Sequence, residues 1–356
     1  MKCSPENETI LHVLRSFLED RPLDPDGRYP WARLSWEAVL AVARHHGLIP
    51  IFYHTLTRKG LRERIPSKVA EELQEGYLGT AAHTLFYEDF FKALFPSFYE
   101  AGIPFVLIKG PSIAYEFYRP VEMRPYSDID LVIQERDYEG AKSVLLKLGM
   151  EITHPEREGV RRTYFNSVPF SKPGQETILL DLHWETLMIS WNEQPFLRGR
   201  EVWEQVRWIE VLELRLPVLQ PQMLIPYLCL HLALHHQFGN LLTLCDLDLA
   251  IRKHGREVDW DGILQQAIEL KIKKPVYYSL RLVSTLLGTP VPVPMLESLR
   301  PSRVEEAVMP FEFLVFRRRP LQVHLERLIK FMLIDDLKGK KKSLFAFYGQ
   351  RGKEGG

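Results

Sequence analysis

Two aspartates stand one residue apart at the head of an apolar run, Asp128-Ile129-Asp130-Leu131-Val132-Ile133. The β-branched and apolar character of 128–134 predicts a strand. Side chains alternate along a strand, so Asp128 and Asp130 are expected on one face. Two like charges about 5 Å apart repel by roughly 3 kcal/mol at an effective dielectric near 20. A divalent cation with oxygen ligands relieves that repulsion. A lone D-x-D pattern also occurs in turns and solvated strand ends, so the pair needs support from elsewhere in the chain.

Three neighbours supply it. Gly110 follows a second apolar run, Phe105-Val106-Leu107-Ile108, and a glycine there lets backbone N–H groups approach a phosphate. Ser112 adds a hydroxyl at the start of a short amphipathic segment, where a helix dipole favours anions. Asp181, in Ile178-Leu179-Leu180-Asp181-Leu182-His183-Trp184, offers a third carboxylate from a separate strand. Three strand-borne carboxylates facing a glycine turn suit two-metal phosphoryl transfer. Lys109 ends its strand beside the glycine; it either neutralises β- or γ-phosphate charge or is a solvated strand-end lysine. Arg124, four residues before Asp128, either clamps a phosphate with its planar fork or pairs with the carboxylates. Arg119 reads as a loop salt bridge. His183 shares the face of Asp181 by alternation and reads mainly as a packed, hydrogen-bonded histidine, with contact near the carboxylates as the other possibility.

The elements that must position these residues follow from the pattern of the chain. Residues 1–100 read as a helical region. Ser35 is a candidate N-cap for 36–46, and a long helical segment covers 67–99, with Gly76, Gly79 and Pro96 as points of bending or splitting. Its aromatic stripe, Phe86, Phe90, Phe91 and Phe95, reads as core. Residues 101–215 read as an α/β core: strand 105–108, helix 112–118, strand 128–134, a helix stopped by Gly149, and strands 161–170 and 177–184. The expected class is α+β, a small mixed sheet flanked by helical regions. Residues 216–340 read as a C-terminal helical domain, with one long helix over 223–236. The basic, glycine-rich segment 341–356 reads as a frayed tail. In the C-terminal region His231 and His235 lie at i and i+4, with His236 adjacent. No H-E-x-x-H glutamate accompanies them; ordinary helix packing is their expected role, with a helix lining the acceptor pocket, or a metal site, as the alternatives. Asp246 and Asp248 are expected to join helices. Arg317-Arg318-Arg319 and the lysines of 338–342 read as solvated charge, or as a path for a phosphorylated acceptor.

Composition narrows the class. The 356 residues exceed one typical core, so two or three domains are expected. The formal net charge is zero, so no global field favours nucleic acid or a membrane surface, although a local basic groove is compatible with it. Cys3, Cys229 and Cys245 form no C-x-x-C pair, which argues against a disulfide framework or a thiolate zinc site. No secretory signal pattern opens the chain, and no apolar run reaches the length of a membrane span. A cytoplasmic protein is expected.

With Lys109-Gly110, then Arg124-Pro125-Tyr126-Ser127-Asp128-Ile129-Asp130-Leu131-Val132-Ile133, then Asp181-Leu182-His183-Trp184, the sequence resembles the nucleotidyltransferase superfamily that shares the DNA polymerase β fold. More narrowly it is similar to the uncharacterised bacterial nucleotidyltransferases of the NTP_transf_5 type. The resemblance covers most of the chain, and its specific motifs lie within 105–185. It implies that Asp128 and Asp130 hold Mg²⁺ and through it the triphosphate. Asp181 would complete the metal site and act as general base on an acceptor hydroxyl. Gly110 and Ser112 would line the phosphate turn, with Lys109 and Arg124 contributing to substrate binding. Two Mg²⁺ ions are implied, with Mn²⁺ as a substitute. One departure stands out. The superfamily places a serine directly after its glycine, whereas Pro111 intervenes here and has no N–H to donate.

The expected function is transfer of a nucleoside monophosphate from an NTP, ATP first among them, to the hydroxyl of a small molecule, peptide or protein, with pyrophosphate leaving. The alternatives are a toxin-like enzyme modifying tRNA, which keeps nucleic acid among the partners, and a non-catalytic module that senses nucleotide. A helical scaffold with an accidental aspartate cluster is the blandest reading.

Overall fold

The computed structural model describes residues 4–24, 29–174, 177–189, 194–308, 312–316, 323–335 and 340. The chain divides into two compact units. One comprises Arg21–Thr186 and Leu197–Gln220; the other comprises Met1–Asp20, Leu187–Phe196 and Pro221–Gly356.

The chain opens with α1 (Pro5–Leu18), capped by Ser4, whose hydroxyl accepts from the Asn7 N–H. Next come α2 (Trp36–His45), α3 (Ile49–Arg58) and α4 (Ser67–Glu100). Strand β1 (Phe105–Ile108) leads through α5 (Gly110–Phe117) to β2 (Ile129–Ile133), α6 (Tyr138–Lys147) and β3 (Glu151–Ile152). Then follow α7 (Glu158–Tyr164), β4 (Ser167–Lys172), β5 (Ile178–His183), β6 (Glu185–Ile189) and β7 (Gln194–Arg198). After α8 (Gly199–Glu204) come β8 (Val206–Val211) and β9 (Leu214–Leu219). The remaining helices are α9 (Pro221–Leu230), α10 (Leu241–His254), α11 (Trp260–Glu269), α12 (Lys273–Leu287), α13 (Val293–Leu299), α14 (Arg303–Val308), α15 (Glu312–Val315) and α16 (Val323–Met332).

The class is α+β, a mixed sheet with helical regions N- and C-terminal to it in sequence. Among the described residues the sheet has seven strands in the order β3-β4-β5-β2-β1-β9-β8. β2 lies antiparallel to β1 and parallel to β5, and β9 lies parallel to β1. β6 and β7 pair as a separate ribbon.

Helix α4 covers one face of the sheet. Phe91, Leu94, Phe95 and Phe98 are fully buried on it and share a core with Ile129, Leu131 and Ile133 of β2 and Leu180 and Leu182 of β5. Phe91 and Phe95 are four residues apart, so their rings meet on one helix face with centroids 5.3 Å apart. Each such ring contributes about 1.5–3 kcal/mol by burial. The alternate residues of β2 and β5 point to the opposite face, and these include Asp130, Asp181 and His183.

Three sequence expectations need correction. The 161–170 strand is instead the end of α7 followed by β4, because Asn166 takes a left-handed φ of +52° and breaks the chain there. The 67–99 segment does not split: α4 is one helix with Pro96 inside its last turns. The 223–236 helix is not uniform; α9 ends at Leu230 and His231–His235 form a π-helical turn. The expected helix 36–46 and the stop at Gly149 (φ +78°) are found, although Ser35 makes no side-chain cap bond. Arg317–Arg319, most of the 338–342 lysines and the 341–356 tail lie outside the described residues. No helix is long and apolar enough to cross a membrane among the described residues. Cys229 and Cys245 are buried free thiols.

Candidate active site

The first positioning device is the β1–α5 turn. Lys109 adopts φ +51°, a left-handed backbone that non-glycine residues adopt at a cost. Gly110 follows at φ +35°. A Cβ at 110 would stand 3.0 Å from the Asp128 carbonyl oxygen and 3.6 Å from Tyr126 Cβ. The turn is thus pressed against the backbone of the carboxylate strand, and glycine answers both the dihedral and the close approach.

The second device is strand pairing. The parallel register of β2 and β5 sets Asp130 directly beside Asp181, and His183 follows two residues on with the same facing. Ligand atoms of Asp130, Asp181 and His183 all lie within 4.8 Å of one another. Asp130 is the buried centre, with 1% of its surface exposed. Its Oδ1 accepts from Lys109 Nζ at 2.8 Å and from His183 Nε2 at 3.1 Å. A carboxylate oxygen only accepts, so the His183 proton resides on Nε2 when Asp130 is ionised. Burial by itself would raise the Asp130 pKa; the Lys109 ammonium and the His183 hydrogen bond outweigh it and hold the carboxyl below its usual range. Asp130 Oδ2 is buried and has no hydrogen-bond partner among the described residues.

Asp128 occupies a different position. It lies one residue before β2, is half-buried, and accepts from Ser127 Oγ at 3.3 Å. Burial, then the charge of Asp130, push its pKa up, and Asp181 adds to this while Lys109 opposes it. Asp128 is therefore within electrostatic reach of the other two carboxylates, yet the group with metal-ligand spacing among the described residues is Asp130, Asp181 and His183.

The sequence-derived substrate residues divide. Lys109 and Gly110 sit at the carboxylates. Ser112 is buried, and its hydroxyl donates to the Lys109 carbonyl at 2.8 Å, closing the turn. The Ser112 N–H donates to the same oxygen at 2.9 Å. With Pro111 lacking an N–H, the first turn of α5 presents fewer donors than an ordinary helix start. Arg124 is half-buried, and its Nη1 donates to the Pro125 carbonyl at 3.2 Å. Among the described residues the histidines of the π-turn join no group with metal-ligand spacing. Instead the His231 and His235 rings stack with centroids 5.0 Å apart. Asp248 is buried, accepts from Arg252 Nε at 2.8 Å and receives the Thr289 hydroxyl, a helix-joining role.

A family model described as uncharacterised nucleotidyltransferase matches residues 32–288, well over half of the chain. The chain belongs to that nucleotidyltransferase family. It is accordingly a transferase, and its family implies an NTP substrate. No curated protein and no solved structure matches the chain.

The residues of this nucleotidyltransferase fit a divalent cation. Two carboxylates converge beside the His183 imidazole, and a buried oxygen of one of them has no donor among the described residues, which is costly unless a positive group satisfies it. Carboxylate oxygens are the hard donors that Mg²⁺ and Mn²⁺ take. His183, through its bond to Asp130, orients that carboxylate in the way outer-shell partners orient metal ligands.

Proposed function

We propose that this nucleotidyltransferase moves a nucleoside monophosphate from an NTP, with ATP as the first candidate, to the hydroxyl of a small molecule, peptide or protein acceptor. The observation that carries the reading is the parallel pairing of Asp130 with Asp181 beneath the Lys109-Gly110 turn. Asp128, Asp130 and Asp181 would hold Mg²⁺ or Mn²⁺, which when bound supplies charge neutralisation for the triphosphate and its developing transition state. Lys109 and His183 keep Asp130 ionised at neutral pH. The Lys109 ammonium, paired with Asp130, would exchange that carboxylate partner for a phosphate oxygen. Asp181 takes the proton of the acceptor hydroxyl, whose oxygen attacks the α-phosphorus. The bond to the bridging oxygen breaks and pyrophosphate leaves with the electron pair.

The test is incubation with each labelled NTP, Mg²⁺ and cell extract as the acceptor source, reading label transfer and pyrophosphate. Turnover is expected with at least one NTP, and a loss of about a hundredfold or more in Asp130→Asn and in Asp181→Asn. Clear NTP binding with no turnover under any of these conditions would sink the enzymatic reading. It would leave a nucleotide-sensing module, a second reading favoured by the engaged Ser112 hydroxyl and the missing Pro111 donor.

A further inference from the structure

One side chain of α4 lies between the two carboxylate strands. Tyr87 is fully buried, and its hydroxyl donates to the Ser127 carbonyl at 2.7 Å. The same hydroxyl accepts from the Leu179 N–H at 3.2 Å. Ser127 immediately precedes Asp128, and Leu179 lies two residues before Asp181. The β2–β5 ladder begins at Ile129 and Leu180, so the hydroxyl spans the strands just upstream of their first paired residues. It takes the place of backbone pairing at the point where Asp128 leaves the ladder. One turn earlier on the same helix, His83 Nε2 donates to the Tyr126 carbonyl at 2.8 Å. A carbonyl cannot donate, so the proton sits on Nε2. Two successive carbonyls before Asp128 are thus held by side chains of one helix.

We propose that α4 is the positioning element of the carboxylate site, with Tyr87 and His83 as its positioning residues. Neither touches a reacting group. Tyr87 fixes how far the Asp128 end of β2 stands from the Asp181 strand, and His83 fixes the direction of the loop that enters it. A site that must present carboxylates from two strands to one cation needs that spacing held to a fraction of an ångström. The proposal rests on the carboxylate-site reading above.

The experiment measures Mn²⁺ binding to the full chain by electron paramagnetic resonance, alongside Tm and the Mg²⁺ dependence of transfer. Tyr87→Phe keeps the ring and removes the bridge. It is expected to weaken Mn²⁺ binding by about tenfold and to move the Mg²⁺ titration of activity to higher concentration. Phe91→Leu, in the same core against Tyr87, is expected to lower Tm while leaving Mn²⁺ affinity unchanged. His83→Leu is expected to weaken Mn²⁺ binding less than Tyr87→Phe, and it decides the matter if Tyr87→Phe does not fold. Unchanged Mn²⁺ affinity in Tyr87→Phe, or in His83→Leu where that variant decides, overturns the positioning role whatever happens to Tm. Absence of Mn²⁺ binding in the unmodified protein overturns the carboxylate-site reading itself, and the positioning role with it.

Discussion

At the scale of single residues, the site depends on a close approach of two backbones. Gly110 sits so close to the Asp128 carbonyl that a Cβ there would stand 3.0 Å from it and push it aside, and its φ of +35° is strained for any other residue. Gly110→Ala is therefore expected to displace the start of β2 and to impair transfer more than it impairs folding. The strain costs about 1–3 kcal/mol, measurable by urea denaturation. The activity loss is expected to exceed the roughly hundredfold loss that about 3 kcal/mol of destabilisation could mimic near the unfolding midpoint. A variant that keeps full activity with wild-type Mg²⁺ dependence would show that the turn does not set the carboxylates. Lys109 illustrates the same economy of space: its left-handed backbone directs the ammonium back onto Asp130, where it compensates the burial of that carboxylate.

At the scale of elements, α4 does two jobs. Its aromatic stripe buries the sheet face, and its Tyr87 and His83 hold the loop before Asp128. Its two glycines differ in kind. A Cβ at Gly76 would collide with Ile49 Cγ2 of α3, whereas nothing lies within 4 Å of one at Gly79. The β-branched Ile49 has little freedom to yield. Gly76→Ala is expected to cost about 1–3 kcal/mol by overpacking, despite a better helix propensity. Gly79→Ala is expected to stabilise by about 0.5–1 kcal/mol. Calorimetric Tm values of the two variants should therefore move in opposite directions; movement in the same direction would mean that helix packing against α3 is looser than described.

At the scale of the whole molecule, stability in acid is expected to report on the unit that contains α12. There Lys274 is buried, its Nζ donates to the Ile334 carbonyl at 2.8 Å and pairs with Glu305 Oε1 at 2.7 Å. The Lys274 hydrogen bond pulls the Glu305 carboxyl down to about 2, against an ordinary value of 4.5. The folded state thus favours the carboxylate. Its stabilisation is complete above about pH 4.5 and is lost as pH falls towards 2. Glu305 is partly exposed, so the effect is modest. Glu305→Gln is expected to lower Tm at neutral pH and to lose part of the Tm decline between pH 4.5 and 2. An unchanged slope in that window would remove the pair from the acid response.

The sequence by itself determined the nucleotidyltransferase family and many of the local elements. Asp128, Asp130 and Asp181 are legible because strand periodicity and residue type are local, and the aromatic stripe of α4 is legible for the same reason. The β8–β9 hairpin was not, since its turn uses Leu212 and Glu213 at φ +50° and +65° without the glycine or asparagine that would signal it. Nor could spacing show that His183 joins Asp130 and Asp181 in one group of ligand spacing, because this depends on the parallel register that sets Asp130 beside Asp181. The Tyr87 bridge joins residues 40 and 92 positions away in the chain. Such contacts leave no periodic trace, and only the packing of α4 on the sheet decides them.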